Sequence, residues 1–135
     1  MLNPSITYVQ NGTLDPQDVA RVFDASGITR PTKDLLRLAR MFEVPTLTFS
    51  AWEGEKLVGI SRSLTDYAYC CYLSDLAVDK DYQGLGIGKE LIRRTQNAIG
   101  DEVSLILLSA QGAMSYYPAV GFTLADNAFV IKRKR

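Results

Sequence analysis

Three glycines alternate with apolar residues between Gln83 and Lys89, where the sequence reads Gln-Gly-Leu-Gly-Ile-Gly-Lys. The stretch before them is apolar and the stretch after them has the spacing of an amphipathic helix, so the glycines lie just before a helix. Alternating glycines let the backbone turn tightly and leave its N–H groups open to a ligand. Those N–H groups and the positive end of the helix dipole favour an anion. Lys89 adds a positive charge, so the segment predicts a phosphate or pyrophosphate site.

The two common nucleotide-binding loops do not fit this spacing. A P-loop has four residues between its first glycine and the Gly-Lys pair, and Ser or Thr follows that pair. Here three residues separate Gly84 from Gly88, and Glu90 follows Lys89. The Rossmann fingerprint also fails, because the third glycine comes one residue early. A nucleotide-binding protein is therefore disfavoured.

The spacing Gln83-x-x-Gly86-x-Gly88 resembles the Q/R-x-x-G-x-G/A signature of the GNAT superfamily of acyl-CoA-dependent N-acetyltransferases. The segments 57–59 (Leu-Val-Gly) and 75–78 (Asp-Leu-Ala-Val) also resemble common GNAT segments. The resemblance implies that the glycine loop binds the pyrophosphate of acetyl-CoA and that the pantetheine arm pairs with free backbone groups of the fourth strand. The acetyl-CoA-binding residues implied in this way are Leu76, Ala77, Val78, Gln83, Gly84, Leu85, Gly86, Ile87, Gly88 and Lys89, with Ser109 at the end of the fifth strand.

A second segment resembles the same superfamily and supplies a candidate catalytic residue. The sequence Tyr-Tyr-Pro-Ala-Val-Gly-Phe at 116–122 is similar to the GNAT segment F-Y-x-x-x-G-F, in which the tyrosine hydroxyl lies near the coenzyme sulfur. The resemblance implies that Tyr117 is the general acid, and a phenol with a pKa near ~10 is a suitable proton donor to a departing thiolate. Tyr116 takes the place of the family's phenylalanine and is expected to pack.

The chain contains no histidine, so it has no Ser-His or Cys-His pair for nucleophilic catalysis. Direct attack of an amine on the thioester, with both substrates bound together, suits that composition. The group that deprotonates the amine stays open between Asp66, Asp75 and water. Some GNAT relatives place a glutamate on the fourth strand, but its approximate counterpart here is Tyr72.

We expect the acceptor, a primary amine, to bind between the segment 26–32 and the strand edges at 62–69. Trp52, Tyr67, Tyr69 and Tyr72 are aromatic candidates for its walls, although aromatic residues are common in strands for packing reasons alone. The identity of the amine, and whether the acyl group is acetyl or longer, stay open. The alternative function is a non-catalytic acyl-CoA-binding or regulatory module with the same fold.

Composition limits the other classes of function. Fifteen basic and fifteen acidic residues give a net charge of zero, which does not favour binding to nucleic acid or to anionic membranes. With no long apolar stretch and no leader-like N-terminus, we expect a cytoplasmic protein. Cys70 and Cys71 are adjacent in a strand, so their side chains point to opposite faces and we expect free thiols. No metal site is expected, and a homodimer is possible by the resemblance.

The length of 135 residues predicts one domain, residues 1–135, which we interpret as a single N-acetyltransferase domain. The pattern predicts a mixed α/β fold, and the GNAT resemblance implies a mostly antiparallel sheet, flanked by helices, that opens between the fourth and fifth strands. The predicted strands are 6–10, 47–52, 56–62, 67–78, 103–108 and one or two closing strands that end at 131. The predicted helices begin at Asp15-Pro16, at 30–32, at 87 and at 113, and end before Gly27, at Pro45, at 98 and at 120.

The segment 103–108 has a pattern of its own. It is almost continuously apolar, which is typical of a central strand that is covered on both faces. We therefore expect the fifth strand to lie inside the sheet, between the fourth strand and the closing strands.

Overall fold

The computed structural model of the protein describes residues 5–44 and 47–135. Five strands and four α-helices, with two short 3₁₀ turns at 80–82 and 111–113, follow one another along this part of the chain. In chain order they are β1 (Thr7–Gln10), α1 (Pro16–Ser26), α2 (Leu35–Glu43), β2 (Leu47–Glu53), β3 (Lys56–Thr65), β4 (Cys70–Val78), α3 (Ile87–Ile99), β5 (Ser104–Leu107) and α4 (Tyr116–Ala119).

The five strands form one sheet in the order β1-β2-β3-β4-β5. The first three pairs are antiparallel, while β4 and β5 are parallel. Two hydrophobic clusters hold helices against the sheet: Val19, Phe23 and Leu38 of α1 and α2 belong to one, and Ile87 and Leu91 of α3 to the other. The mixed α/β class and the mostly antiparallel sheet are thus confirmed.

Local signals place the first helix as predicted. The Asp15 carboxylate accepts a hydrogen bond from the Gln17 amide at 2.9 Å, and Pro16 is the first helical residue. Gly27 ends the helix with φ +89°, a conformation that glycine adopts without strain.

The second helix begins later than predicted. Residues 30–34 form a turn, and α2 begins at Leu35 because the Asp34 side chain caps it by accepting from the Arg37 amide. The helix ends at Glu43, and the predicted end at Pro45 lies outside the described residues.

The fourth strand is also shorter than predicted. It begins at Cys70 rather than Tyr67, because the Asp66 carboxylate accepts hydrogen bonds from three successive backbone amides, those of residues 68, 69 and 70. A carboxylate that binds consecutive amides curls the chain and prevents it from being extended. Cys70 is exposed and Cys71 is buried, so the two thiols lie on opposite faces as expected.

The sheet opens between β4 and β5, as the GNAT resemblance implied. The two strands pair only over Cys70–Leu73 and Ser104–Leu107. Beyond Leu73, β4 continues for five more residues, of which the last four pair with β3 on one side and none pairs with β5 on the other. The last residues of β4 therefore present a free edge inside the opening.

The C-terminal part of the chain differs most from the prediction. The helix expected at 113–120 is a 3₁₀ turn followed by the single turn of α4. The closing strands expected up to Ile131 are not formed within the described residues, and β5 lies at the edge of the sheet instead of inside it. No described helix is long and apolar enough to cross a membrane.

Candidate active site

The shape of the glycine loop depends on two glycines whose backbone is in the left-handed conformation. Gly84 has φ +82° and Gly86 has φ +84°, and in neither case would a Cβ meet another atom, so backbone conformation alone requires glycine. Gly86 is the residue before α3, and no side chain of the described residues caps the first turn of that helix. The amides of that first turn are consequently available to an anion.

Gly88 is required for a different reason. A Cβ on Gly88 would lie 2.6 Å from the hydroxyl oxygen of Tyr116, which is closer than real atoms approach. Tyr116 therefore extends from α4 to the first turn of α3 and covers the glycine loop with its hydroxyl. The sequence predicted only packing for this residue, and its contact with the predicted phosphate site was missed because no local pattern relates positions 88 and 116.

The free edge of β4 lies directly before the glycine loop. Leu76, Ala77 and Val78 pair with β3, and their other side faces the opening of the sheet. The Gln83 side-chain amide donates a hydrogen bond to the Val78 carbonyl at 2.9 Å, which ties the loop to the strand end. The structure thus brings the predicted strand-edge residues and the predicted loop residues together.

The remaining predicted donor-site residues differ in exposure. Leu85 and Lys89 are exposed, whereas the Ile87 side chain is buried in the core and only its amide can serve a ligand. Ser109 lies two residues beyond the end of β5, and its hydroxyl donates to the Ala110 carbonyl at 2.7 Å. Its oxygen keeps only the ability to accept a hydrogen bond.

Tyr117 is positioned by a helix-ending turn that explains the spacing of its motif. The Phe122 amide donates to the Tyr117 carbonyl at 3.0 Å and the Gly121 amide donates to the Pro118 carbonyl at 3.3 Å, which is the Schellman pattern. Gly121 has φ +103° and so must be glycine. The turn brings the Phe122 ring onto that of Tyr117, with centroids 5.5 Å apart and planes at 82°.

The environment of Tyr117 keeps its phenol neutral. Burial raises the pKa of Tyr117, the neighbouring Tyr116 raises it further, and the positive charge of Arg30 lowers it in part. The rings of Tyr116 and Tyr117 meet edge to face at 5.3 Å. Tyr116 therefore contacts the glycine loop while Tyr117 is within electrostatic range of the segment between α1 and α2.

Asp75 is fully buried and has both carboxylate oxygens engaged. Arg30 Nε lies 2.6 Å from Oδ1 and Arg62 Nε lies 2.5 Å from Oδ2. Arg30 also donates to the Ser74 carbonyl and Arg62 to the Ser74 hydroxyl. These side chains form a buried ion network, which we call the Asp75 network (Arg30, Arg62, Ser74, Asp75), and it holds the segment between α1 and α2 against β4.

A β-bulge decides which way Asp75 points. Arg62 pairs with Asp75 and Ser63 with Leu73, so Ser74 is an extra residue in β4. An extra residue reverses the alternation of side chains along a strand. Simple alternation from Leu73 could not reveal this, which is why the sequence left the facing of Asp75 open.

Asp66, the other candidate base, also has a structural role. Its three backbone hydrogen bonds lower the pKa of its carboxyl, because each amide stabilises the charged form. A carboxylate with a lowered pKa is a weaker proton acceptor. Both carboxylates considered as bases are therefore engaged in holding the backbone.

The aromatic residues considered for the acceptor pocket do not form one group. Tyr67, Tyr69 and Tyr72 are exposed near the start of β4. Trp52 instead packs against the cluster under α1 and α2, with its indole N–H donating to the Ser50 hydroxyl at 2.9 Å. Of the four aromatic candidates, Trp52 therefore lies apart from the three exposed tyrosines.

A cavity of about 640 Å³ lies away from these residues. It is enclosed by the turn Asn11–Leu14, by Pro16 and Val19 of α1 and by Leu38 and Phe42 of α2. Its walls include neither the glycine loop nor the Tyr117 side chain. This cavity is therefore separate from the residues predicted to bind acetyl-CoA.

Comparison with known proteins agrees with this geometry. Residues 19–132 match the family model described as an acetyltransferase (GNAT) domain. An uncharacterised N-acetyltransferase ycf52-like of Prochlorococcus marinus is 26% identical over 130 residues, which cover 90% of this chain and 71% of that protein. GCN5-related N-acetyltransferase 2, chloroplastic, of Arabidopsis thaliana is 27% identical over 139 residues, which cover 87% of this chain and 53% of that protein. The chain thus spans between about half and seven-tenths of these relatives.

A solved structure shows the same fold. A probable acetyltransferase from Staphylococcus aureus superposes with a TM-score of 0.82 at 18% identity, covering 96% of this chain and all of that one. The family match, the N-acetyltransferase relatives and the shared fold lead to one conclusion. The chain belongs to the GNAT family of acetyl-CoA-dependent N-acetyltransferases.

Proposed function

We propose that residues 1–135 form one catalytic domain that transfers the acetyl group of acetyl-CoA directly to a primary amine while both substrates are bound. The observation that carries this proposal is the free edge of Leu76–Val78, which runs into a glycine loop with an uncapped helix start. A free strand edge suits an amide-containing pantetheine arm, and free helix amides suit a pyrophosphate. Exposed Lys89 adds a positive charge beside those amides.

The reaction requires one bond to form and one to break. The neutral amine nitrogen attacks the thioester carbonyl, a C–N bond forms, and the C–S bond breaks with the electron pair leaving on sulfur. Tyr117 donates its hydroxyl proton to that sulfur, and burial keeps this proton in place because it raises the pKa of the phenol. The nitrogen then releases one proton to water, and water returns a proton to the Tyr117 oxygen. The contact of the Tyr117 ring with Tyr116, whose hydroxyl meets the first turn of α3 at Gly88, supports this assignment.

We propose that water removes the proton from the attacking ammonium. Both oxygens of Asp75 are engaged by Arg30 and Arg62, and three backbone amides lower the pKa of Asp66, which makes it a weaker base. Exposed Tyr67, Tyr69 and Tyr72 would provide aromatic contacts for the acceptor.

A covalent acetyl-enzyme is not part of the proposal. Burial raises the pKa of the Cys71 thiol, which keeps it in the unreactive protonated form. The chain has no histidine that could activate either cysteine. A Cys70→Ala/Cys71→Ala variant should keep near-normal activity, and mass spectrometry of the wild type with acetyl-CoA alone should detect no stoichiometric adduct. A competent adduct that disappears with the activity of this variant would contradict direct transfer.

The test of the proposed function is a screen of primary amines for release of CoA from acetyl-CoA. Amines that support release are then assayed with Tyr117→Phe and with Tyr8→Phe, which makes the same chemical change on β1, at the other edge of the sheet. We expect kcat to fall about 10²–10⁴-fold for Tyr117→Phe and to stay within about twofold for Tyr8→Phe. Equal activity of the two variants, with chemistry shown to be rate-limiting, would remove Tyr117 from the reaction.

The second candidate function is a non-catalytic acyl-CoA-binding module. The structural roles of the two candidate bases favour it, because Asp75 is held by Arg30 and Arg62 and the pKa of Asp66 is lowered by backbone hydrogen bonds. The same screen separates the two functions. Binding of CoA by calorimetry without turnover of any amine would support the binding module over the enzyme.

We propose a reducing compartment such as the cytoplasm, since exposed Cys70 and buried Cys71 are free thiols. The name of the Arabidopsis relative places that protein in the chloroplast, so the compartment needs its own test. Fractionation of the native host with an antibody against this chain provides it.

A further inference from the structure

We propose that Arg30 binds a carboxylate of the acceptor, so that the amine this protein acetylates is an amino acid or another small molecule with a carboxylate near its amino group. This inference rests on the proposed function and names the class of substrate for it. It follows from the charge of the Asp75 network and from the position of Arg30 at the surface of that network.

The Asp75 network carries an excess of positive charge. Two guanidinium groups, those of Arg30 and Arg62, share the single carboxylate of Asp75, so positive charge outweighs negative charge in the network. A charge that is taken out of water without a partner is unfavourable, and an opposite charge that reaches it is therefore bound. The network thus favours an anionic ligand.

Arg30 is the member through which this charge reaches the solvent. Its side chain is 28% exposed, compared with 10% for Arg62 and 0% for Asp75. Arg30 donates from Nε to Asp75, from Nη1 to the Thr29 carbonyl and from Nη2 to the Ser74 carbonyl. Each Nη atom carries a second N–H group, which has no partner among residues 5–44 and 47–135. Paired guanidinium N–H groups suit the two oxygens of a carboxylate.

Arg30 is also close to the proposed general acid. Burial raises the pKa of Tyr117, and the positive charge of Arg30 lowers it in part, so the two side chains interact. Arg30 is held on β4 by Asp75 and Ser74, whereas Tyr117 lies in the segment after β5. A carboxylate on Arg30 would therefore lie near the sulfur that Tyr117 protonates, and this implies a short separation between the carboxylate and the reacting amine.

Other charges on this side do not cancel that of Arg30. Segment 26–32 contains no acidic residue, and Asp66 and Asp75 are the only ones in segment 62–75. Asp66 binds the amide of Cys70, which precedes Asp75 by about 17 Å along a strand. This distance exceeds the Debye length of about 8 Å at physiological salt, so Asp66 has little effect at Arg30. A purely cationic acceptor such as a polyamine would find no free carboxylate in these segments.

Tyr72 supplies an apolar surface on the same face of the sheet. Cys71 belongs to the hydrophobic cluster under α3, so alternation along β4 turns Tyr72 to the opposite face, that of α1 and α2. Arg30 reaches β4 from the segment between these two helices. A positive charge with an exposed aromatic ring on one face suits an amino acid with an apolar side chain.

The first test compares apolar amino acids with their amides, for example phenylalanine with phenylalaninamide. The amide keeps the size of the acceptor and removes its carboxylate charge. Its amine is also less basic, so amine protonation favours the amide and cannot explain a preference for the acid. Release of CoA from acetyl-CoA should show a kcat/KM at least ~10-fold higher for the amino acid, as expected of charge-assisted hydrogen bonds. Equal values, or a preference for the amide, would overturn the inference.

The second test assigns the preference to Arg30 with a matched pair of variants. Arg30→Gln and Arg30→Lys both lose the guanidinium contacts of the Asp75 network, but only the lysine keeps the charge. The ratio of kcat/KM for the two acceptors does not depend on how much of a variant is folded. We expect Arg30→Gln to bring this ratio within about twofold of unity and Arg30→Lys to keep it above about threefold. A ratio that is unchanged in Arg30→Gln would place the carboxylate elsewhere and overturn the inference.

The same assays distinguish failure of this inference from failure of the proposed function. Turnover of amines that lack a carboxylate, with none for the amino acids, would overturn the inference and leave the acetyltransferase intact. Binding of CoA with no turnover of any amine would overturn both.

Discussion

The glycine loop and the Asp75 network both adjoin β4, yet they are built in opposite ways. The loop is exposed and is made of backbone: two left-handed glycines, a helix start without a side-chain cap and a free strand edge. The Asp75 network is buried and is made of side chains from three separate segments of the chain. A backbone site leaves a local sequence pattern, whereas a side-chain network assembled from distant positions leaves none.

We expect the glycine loop to determine ligand binding and the Asp75 network to determine the stability of the fold. Changes at Gly84 and Gly86 should alter ligand binding more than folding, because a side chain there would meet no other atom and only backbone strain would oppose it. Changes in the Asp75 network should alter folding, because charges would be left unpaired inside the protein. The predictions that follow test this separation.

The largest expected effect is that of Asp75→Asn on stability. The substitution keeps the shape of the side chain but leaves the charges of Arg30 and Arg62 without their partner, and breaking a buried pair typically costs about 3–5 kcal/mol. Urea unfolding at 25 °C measures the loss, with Asp126→Asn in the exposed tail as the control at less than about 0.5 kcal/mol. Equal midpoints for the two variants would mean that the network does not stabilise the fold.

Gly86→Val should reduce the affinity for CoA at least ~10-fold, which is about 1.4 kcal/mol. The residue has φ +84°, so a β-branched side chain strains the loop where the pyrophosphate would approach. Gly27→Val is the matched control, because Gly27 has φ +89° and ψ 0°, close to the φ +84° and ψ 9° of Gly86, and lies at the end of α1. Both variants carry similar backbone strain, but only Gly86→Val should lower the affinity for CoA measured by calorimetry. Equal losses of affinity in the two variants would place the ligand elsewhere.

A smaller effect should couple Gly88 to Tyr116. Gly88→Ala places a Cβ against the Tyr116 hydroxyl, and this overpacking should cost about 1 kcal/mol of unfolding free energy. In a Tyr116→Phe background the same substitution should cost less, because the hydroxyl is gone and alanine favours the helix. A double-mutant cycle of urea unfolding measures the coupling. Additive effects would mean that the two residues do not meet in solution.

The smallest effect concerns pH. The pKa of Tyr117 in the folded state is raised above the ordinary tyrosine value of 10.0, so the folded state holds the phenol proton more tightly than the unfolded chain does. The protonated Tyr117 therefore makes its full contribution to stability below pH 10. The contribution is lost as pH rises through the folded pKa, since the unfolded chain releases the proton first. The difference in unfolding free energy between wild type and Tyr117→Phe should therefore be constant up to about pH 9 and shift against the wild type above about pH 10. A constant difference up to pH 11 would contradict the raised pKa.

Most of the fold followed from local patterns in the sequence. Asp15, Pro16 and Gly27 set the bounds of α1 because capping and left-handed turns depend on adjacent residues. The start of β4 was predicted too early because the strand-like pattern hid a local contact, that of the Asp66 carboxylate with the amides of residues 68–70. The facing of Asp75 stayed open because it depends on the Ser74 bulge and on Arg30, which is 45 positions away. The apolar pattern of 103–108 predicted a strand inside the sheet, whereas β5 is an edge strand among the described residues.

In the candidate site, too, local features were predictable from the sequence and contacts between distant residues were not. The glycine loop, the end of β4 and the Tyr117 turn are continuous segments with local patterns, and their roles in binding acetyl-CoA and in catalysis stay predictions. The contact between Tyr116 and Gly88 joins residues 28 positions apart and had no sequence signal. The ion pairs of Asp75 had none either, because Arg30 and Arg62 are 45 and 13 positions away.

The most direct test of the account is an NMR titration of the ¹⁵N-labelled protein with CoA, which follows backbone amides and arginine Nε–H signals together. We predict that the largest shifts fall on the amides of Gly86–Lys89 and Leu76–Val78, with the Nε–H signals of Arg30 and Arg62 nearly unchanged. Shifts centred on Val19, Leu38 and their neighbours around the cavity of α1 and α2, with the loop amides unmoved, would contradict the claim that the backbone of the glycine loop and of β4 forms the acetyl-CoA site.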